Sequence, residues 1–147
     1  MILRILAIVL TALALVPAGA HIAALPNKIA LPAEAYVVAQ AVYLGWWLWG
    51  FIQIGAIFAN GALALSLRHG DLAASRFALA AALLLVLVLA VFFLWTFPAN
   101  QATANWTAMP DNWEDLRFQW EWSHALNAVL SLIALICSAT AATSPRR

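Results

Sequence analysis

A single cysteine, Cys137, stands in the whole chain, so neither an internal disulfide nor paired-thiol chemistry can be built. Charge is equally scarce. Asp, Glu, Lys and Arg make up 9% of the 147 residues, against about 25% in an ordinary soluble domain. The seven Lys and Arg are scattered and the net charge is +1, which excludes the basic stripe that the phosphates of a nucleic acid require. Also missing is the alternation of polar and apolar positions with which a soluble domain covers its core. What is there instead is apolar: 66% of residues are hydrophobic, in long stretches without a polar face. Lipid has to supply the covering.

Each helical crossing of a bilayer needs roughly 20 apolar residues, so four crossings with short connections use nearly the whole chain. The expected fold is all-α, a four-transmembrane-helix bundle forming one integral membrane domain over 1–147, with helices at about 2–25, 35–67, 76–97 and 112–143. The first segment, with Arg4 at its start and Pro17 inside, also reads as a secretory signal. In that reading Ile5 to Val16 form the apolar core and Ala18-Gly19-Ala20 the cleavage site. Two prolines in Pro26–Glu34 give loop chemistry. The second helix would run roughly 48 Å at 1.5 Å per residue, longer than the ~30 Å hydrocarbon core, and so has to tilt, kink or project. Arg68-His69-Gly70-Asp71 closes it. The third segment holds the unbroken apolar run Ala80 to Trp95. A long Trp-rich loop follows Pro98, and Asp111 with Glu114 three residues on reads as the N-cap and capping-box acid of the last helix.

Arg4, Arg68, Arg76, Arg146 and Arg147 fall on one side of this topology, against Lys28 and Arg117 on the other. Positive residues near helix ends stay cytoplasmic. The expectation is therefore a multi-pass protein of the cell membrane with both termini cytoplasmic. Most acids gather on the opposite, outer side: Glu34, Asp111, Glu114, Asp115 and Glu121.

Polar groups in spanning segments single out the candidate site. On the second helix Trp46, Gly50, Gln53, Ile57 and Asn60 share a face, with Gln40, Tyr43 and Trp47 on an adjoining stripe. Gln53 and Asn60 serve either a ligand or hydrogen bonding between helices. On the last helix Arg117, Glu121, His124, Asn127 and Ser131 line one face. Arg117 and Glu121 lie one turn apart and can form a plain ion pair. Glu121-Trp122-Ser123-His124 has the Glu-x-x-His spacing of di-iron bundles, but those take two such motifs and further glutamates. His21, His124 and Glu121 could hold a single transition metal, with a bis-histidine haem as a variant; the alternative is no cofactor, the histidines being hydrogen-bonded or proton-carrying. The eight tryptophans form either an interfacial belt or the walls of a cavity for a flat hydrophobic molecule. Membrane lipids and such a small molecule are the expected partners, and a homo-oligomer is left open.

The stretches Pro98-Ala99-Asn100, Asn105-Trp106, Trp113 to Arg117, Trp120 and His124 resemble membrane proteins of the anthrone oxygenase-like domain family. His21, Leu25-Pro26-Asn27-Lys28-Ile29, Gln40, Tyr43, Gly45 and Trp46 resemble a bacterial branch of it, and together these stretches cover about half the chain. Asn127 stands where family members often carry an arginine. The resemblance implies a four-helix membrane bundle and, in fungal relatives, an oxygenase that converts an anthrone to an anthraquinone with dioxygen, either cofactor-independent or metal-assisted. It further implies a phenolic or quinone-like substrate bound by Tyr43, Trp46, Gln53, Trp106 and Trp120. His124 would take a proton from the activated carbon, and Asn100, Asn105 and Arg117 would stabilise the oxyanion. The reading from another class is a non-catalytic lipid- or quinone-binding protein or partner subunit.

Overall fold

The computed structural model describes residues 1–145. Six α-helices are found among them: α1 (Ile2–Lys28), α2 (Ala33–Gln40), α3 (Trp49–Leu67), α4 (Leu72–Val91), α5 (Phe97–Ala102) and α6 (Trp113–Thr143). Four continuous helical stretches are long and apolar enough to cross a membrane: 2–28, 46–67, 72–102 and 113–143. The chain is thus a four-helix integral membrane protein. In the bundle α1 packs against α3 and α6, and α4 packs against the same two.

Small side chains allow this close packing. Ala14, Ala56 and Ala134 meet Leu85 in one buried layer, and Ala7, Ala59, Ala64, Ala78, Ala141 and Ala142 gather around Leu63 in another. Between helices in lipid no hydrophobic force acts, so association rests on close van der Waals contact and on polar bonds. Buried bonds of this kind include Asn60 Nδ2 donating to Thr11 Oγ1 at 2.8 Å, Gln53 Nε2 donating to the Leu85 carbonyl at 2.9 Å and the Ser75 hydroxyl donating to the Ala64 carbonyl at 2.8 Å. Leu, Ile, Val and Phe side chains face outward along all four spans.

The elements differ from expectation where local chemistry overrides the hydropathy pattern. α1 runs through Pro26 to Lys28 instead of stopping near 25. The expected single helix 35–67 is broken in two. Leu44 is extended (φ −58°, ψ 127°) and Gly45 adopts φ 85°, a left-handed conformation that glycine takes without a Cβ clash. The excess length therefore becomes α2 and two short 3-10 turns, Ala41–Tyr43 and Trp46–Leu48, ahead of α3. The third span starts at Leu72, capped by Asp71, whose side chain accepts from the Ala74 N–H at 3.0 Å. It continues through a π-helical turn, Phe92–Thr96, and past Pro98 to Ala102. The long connection shrinks accordingly to 103–112. The last helix begins after Asn112, which makes no side-chain cap, so Asp111 is not the N-cap.

The two ends of the bundle are chemically different. At one end Arg4 donates to the carbonyls of Ala142 and Ser144, and the Ser144 hydroxyl donates to Asp71 Oδ2. Arg68 and Arg76 lie at that end too; Arg146 and Arg147, counted with them in the sequence, lie outside the described residues. The other end gathers α2, the 103–112 connection and most of the aromatic side chains.

Candidate functional site

α1 and α6 run antiparallel in contact, which brings the end of α1 level with the first turns of α6. His21 and His124 therefore meet, although 103 positions separate them: their ring centroids are 4.0 Å apart and tilted by 33°. Trp120, one turn before His124, presents its ring edge-on to both histidines, at 4.6 Å from His21 and 4.3 Å from His124. Tyr43 and Trp46, delivered by the break at Gly45, close the other side at 4.2 Å and 5.8 Å from His21. His21 is buried and its Nδ1 has no hydrogen-bond partner among the described residues. His124, Tyr43 and Trp46 are half-buried, so the cluster keeps an accessible edge.

Glu121 does not turn toward the histidines. Its side chain is fully buried, and Oε1 lies 3.0 Å from Lys28 Nζ and accepts from the Tyr36 hydroxyl at 2.8 Å. Gln40 Nε2 donates to the same tyrosine oxygen at 2.6 Å. Burial, and after it the charge of Glu121, push the Tyr36 phenol well above its ordinary pKa, so it stays a donor. Lys28 Nζ also sits over the rings of Tyr43 (4.7 Å) and Trp120 (4.8 Å), the two rings that flank His21. An ammonium over aromatic faces is attracted by their quadrupoles. The histidine cluster and the buried ion pair thus share walls and form one polar assembly within an aromatic cage.

Among the described residues no group of three or more His, Cys, Asp or Glu is placed to hold a metal ion. The expected His21, His124 and Glu121 set is not assembled, because the Glu121 side chain is directed to Lys28 and Tyr36, which share its Oε1. The two imidazoles remain in ring-to-ring contact.

Of the other expected residues, Asn100 is brought to the cluster, where its Oδ1 accepts from Trp120 Nε1 at 2.8 Å. Trp106 packs edge-on to Tyr36 (5.0 Å) and Trp120 (5.9 Å). Both tryptophans are 4% exposed, so they wall the cluster from within rather than offer an open face. Asn105 is exposed, and its backbone N–H bonds the Asn100 carbonyl at 2.7 Å. Arg117 is committed elsewhere: it donates to the Leu31 carbonyl at 2.7 Å, stacks over Trp113, and pairs with Glu114 at 4.0 Å instead of with Glu121. Gln53 lies deeper, holding α3 to α4.

Backbone strain marks the connection beside the cluster. Ala104, Asn105 and Trp106 all have positive φ (47°, 56° and 64°), a conformation costing roughly 1–2 kcal/mol for each residue with a Cβ. Burial of the Trp106 ring and the bond from its N–H to Thr103 Oγ1 (3.1 Å) hold it. Such strain concentrates at functional sites.

Lys28 and Tyr36 were outside the sequence-derived set. Lys28 reads in the sequence as one loop charge among others, and its partner lies 93 positions away.

No family model, no curated protein and no solved structure matches the chain.

Proposed function

We propose that the protein is a membrane enzyme of anthrone-oxygenase-like chemistry, acting on a flat hydrophobic phenolic or quinone-like substrate that reaches it from the bilayer. The observation that carries this reading is the His21–His124 pair, set in a cage of Tyr43, Trp46 and Trp120 beside a buried polar network. A titratable pair in an aromatic enclosure at the membrane interface suits proton removal from a flat, weakly acidic carbon.

In this reading the substrate lies against the accessible edges of His124, Tyr43 and Trp46. His124 takes a proton from the substrate CH2, leaving a carbanion. Dioxygen accepts the carbanion's electrons and forms the new C–O bond; the peroxide anion takes the proton back from His124, and loss of water from the resulting hydroperoxide leaves the ketone. One CH2 and one O2 become one C=O and one H2O. His21 supports the charge that develops on its stacked neighbour, and Asn100 fixes Trp120. The protein sits in the cell membrane with both termini cytoplasmic, a placement supported by Arg4, Arg68 and Arg76 at one end of the bundle.

The test is oxygen uptake and quinone absorbance with anthrone and detergent-purified protein. Equal consumption of O2 and formation of quinone is expected, with His124→Ala slower by about 10²-fold or more, the usual contribution of a general base. Absence of turnover, or an unchanged rate in His124→Ala, overturns the reading. A second reading, a non-catalytic quinone- or lipid-binding protein, is favoured by one observation: His21 already contacts Tyr43, Trp120 and His124, so the inner cage is filled by protein. In that case substitution of His21 and His124 leaves binding intact, while changes in the aromatic connection weaken it.

A further inference from the structure

The buried pair Lys28–Glu121 carries two polar valences that the fold leaves open. Glu121 is 1% exposed; its Oε1 takes Lys28 and Tyr36, and its Oε2 has no hydrogen-bond partner among the described residues. Lys28 is 6% exposed, and beyond its ion pair its Nζ has no hydrogen-bond partner among them either. An ammonium has three donors and no acceptor, and a carboxylate only acceptors. Side by side they present open donors and an open acceptor where water is scarce, and an unsatisfied buried polar group costs roughly 1–3 kcal/mol. One kind of group answers both at once. A hydroxyl donates to the carboxylate oxygen and accepts from the ammonium.

We propose that the Lys28–Glu121 pair is the seat for a hydroxyl on the ligand, which selects hydroxyl-bearing flat aromatics over the hydroxyl-free quinone-like members of the class proposed above. The inference rests on the reading of the cage as a site for a flat aromatic ligand. The surroundings define its electrostatics. Lys28 comes from α1, Tyr36 from α2, Tyr43 from the following turn, and Glu121, His124 and the more distant Arg117 from α6, while His21 lies against Tyr43. Asn100 of α5 adds no charge. Glu121 and His124 lie three positions apart on one helix face, about 5–6 Å between Cβ atoms. Lys28 Nζ lies over the same Tyr43 and Trp120 rings that flank His21, so a hydroxyl anchored at the pair leaves the adjoining ring beside the histidine cluster. The proton balance of the seat is neutral: if the bound hydroxyl gives its proton to Glu121 Oε2, the carboxylate becomes a carboxylic acid and Lys28 faces the new aryl oxide. The anionic charge moves from Glu121 to the ligand without leaving the pair.

This assignment gives the oxyanion role, which the resemblance implied for Asn100, Asn105 and Arg117, to Lys28; Asn100 Oδ1 is held by Trp120 Nε1. Arg117 holds the Leu31 carbonyl and Asn105 faces solvent.

The test compares 2,6-dihydroxyanthraquinone with 9,10-anthraquinone, which has the same ring system without hydroxyls, by quenching of tryptophan fluorescence in the detergent-purified full chain. The expected result is at least tenfold tighter binding of the dihydroxy compound, with the preference lost in Lys28→Met and partly kept in Lys28→Arg. The absorption of the bound dihydroxy compound gives a second readout. Its ionisation midpoint is expected to rise in Lys28→Met and fall in Glu121→Gln, opposite signs that a mere structural pin between α1 and α6 would not produce. Equal affinity of the two compounds for the wild-type protein overturns the seat while leaving the flat-ligand reading in place; an ordered water then completes the pair. The wild-type comparison stands even where a variant does not fold. Binding of neither compound overturns the flat-ligand reading and the seat with it.

Discussion

Removing Lys28 tests how the site end of the bundle is held together. Lys28→Met keeps the apolar stem against Tyr43 and Trp120 but deletes the ammonium. Glu121, with its side chain 0% exposed, keeps only the Tyr36 hydroxyl. Breaking a buried pair by removing one partner costs about 3–5 kcal/mol, because the remaining charge is left uncompensated. Lost attraction to the two rings adds about 0.5–2 kcal/mol where the cation is desolvated. The expected destabilisation is therefore at least about 3 kcal/mol. Adding Glu121→Gln to Lys28→Met removes the orphan charge while keeping an amide for Tyr36. The double variant should thus be more stable than Lys28→Met alone, a coupling that a double-mutant cycle reads directly. The assay is reversible unfolding in mixed micelles, titrated with sodium dodecyl sulfate and followed by tryptophan fluorescence. Two results refute the reasoning: Lys28→Met within about 0.5 kcal/mol of wild type, the range of an exposed pair, or strict additivity of the two substitutions.

The same unfolding assay checks four further expectations. Asn60→Leu deletes the buried bond to Thr11 and should destabilise by about 0.6–1.7 kcal/mol, the range for side-chain bonds between membrane helices. Gly45→Ala should destabilise by about 1 kcal/mol, through its φ of 85° alone, since nothing lies within 4 Å of the added Cβ. Gly50→Ala, with equal space but within α3, should instead stabilise by about 0.5–1 kcal/mol. In the strained connection Ala104→Gly should stabilise by about 0.5–1 kcal/mol, the relief of a left-handed alanine less the entropy added to the unfolded chain.

The four spans were legible because each is a long apolar run, and that signal needs no tertiary information. Their ends were not. Pro26 and Pro98 read as helix breakers, yet Pro98 falls in the first turn of α5, directly after the π turn, where a missing N–H removes little, and Pro26 falls in the last turn of α1, where the helix ends two residues later. The break at Leu44–Gly45 is hidden inside a continuous apolar and aromatic stretch, and it is a backbone dihedral rather than hydropathy that makes it. At the site, one-face spacing on α6 grouped Glu121 with His124, but the fold puts only His124 against His21. Spacing along one helix says nothing about which neighbour a side chain takes from other helices. Glu121 chose Lys28 and Tyr36, from α1 and α2, and Arg117 chose a carbonyl in the connection between them. Helical periodicity reports faces; partners follow from how faces meet.

The π-helical turn at Phe92–Thr96 has a rotational meaning. A π turn is the signature of one extra residue accommodated within an α-helix, and each α-helical residue advances the side chains by about 100°. Everything beyond Thr96 is therefore swung around the axis relative to a helix lacking that residue. With the swing, Asn100 reaches Trp120 and Ala99 packs among Tyr36, Trp106 and Trp120. The Trp95 carbonyl within the turn is taken by Gln119 of α6. Shortening the turn by one residue would regularise the hydrogen bonding of the third span, and in doing so would aim Asn100 away from the cage it now braces.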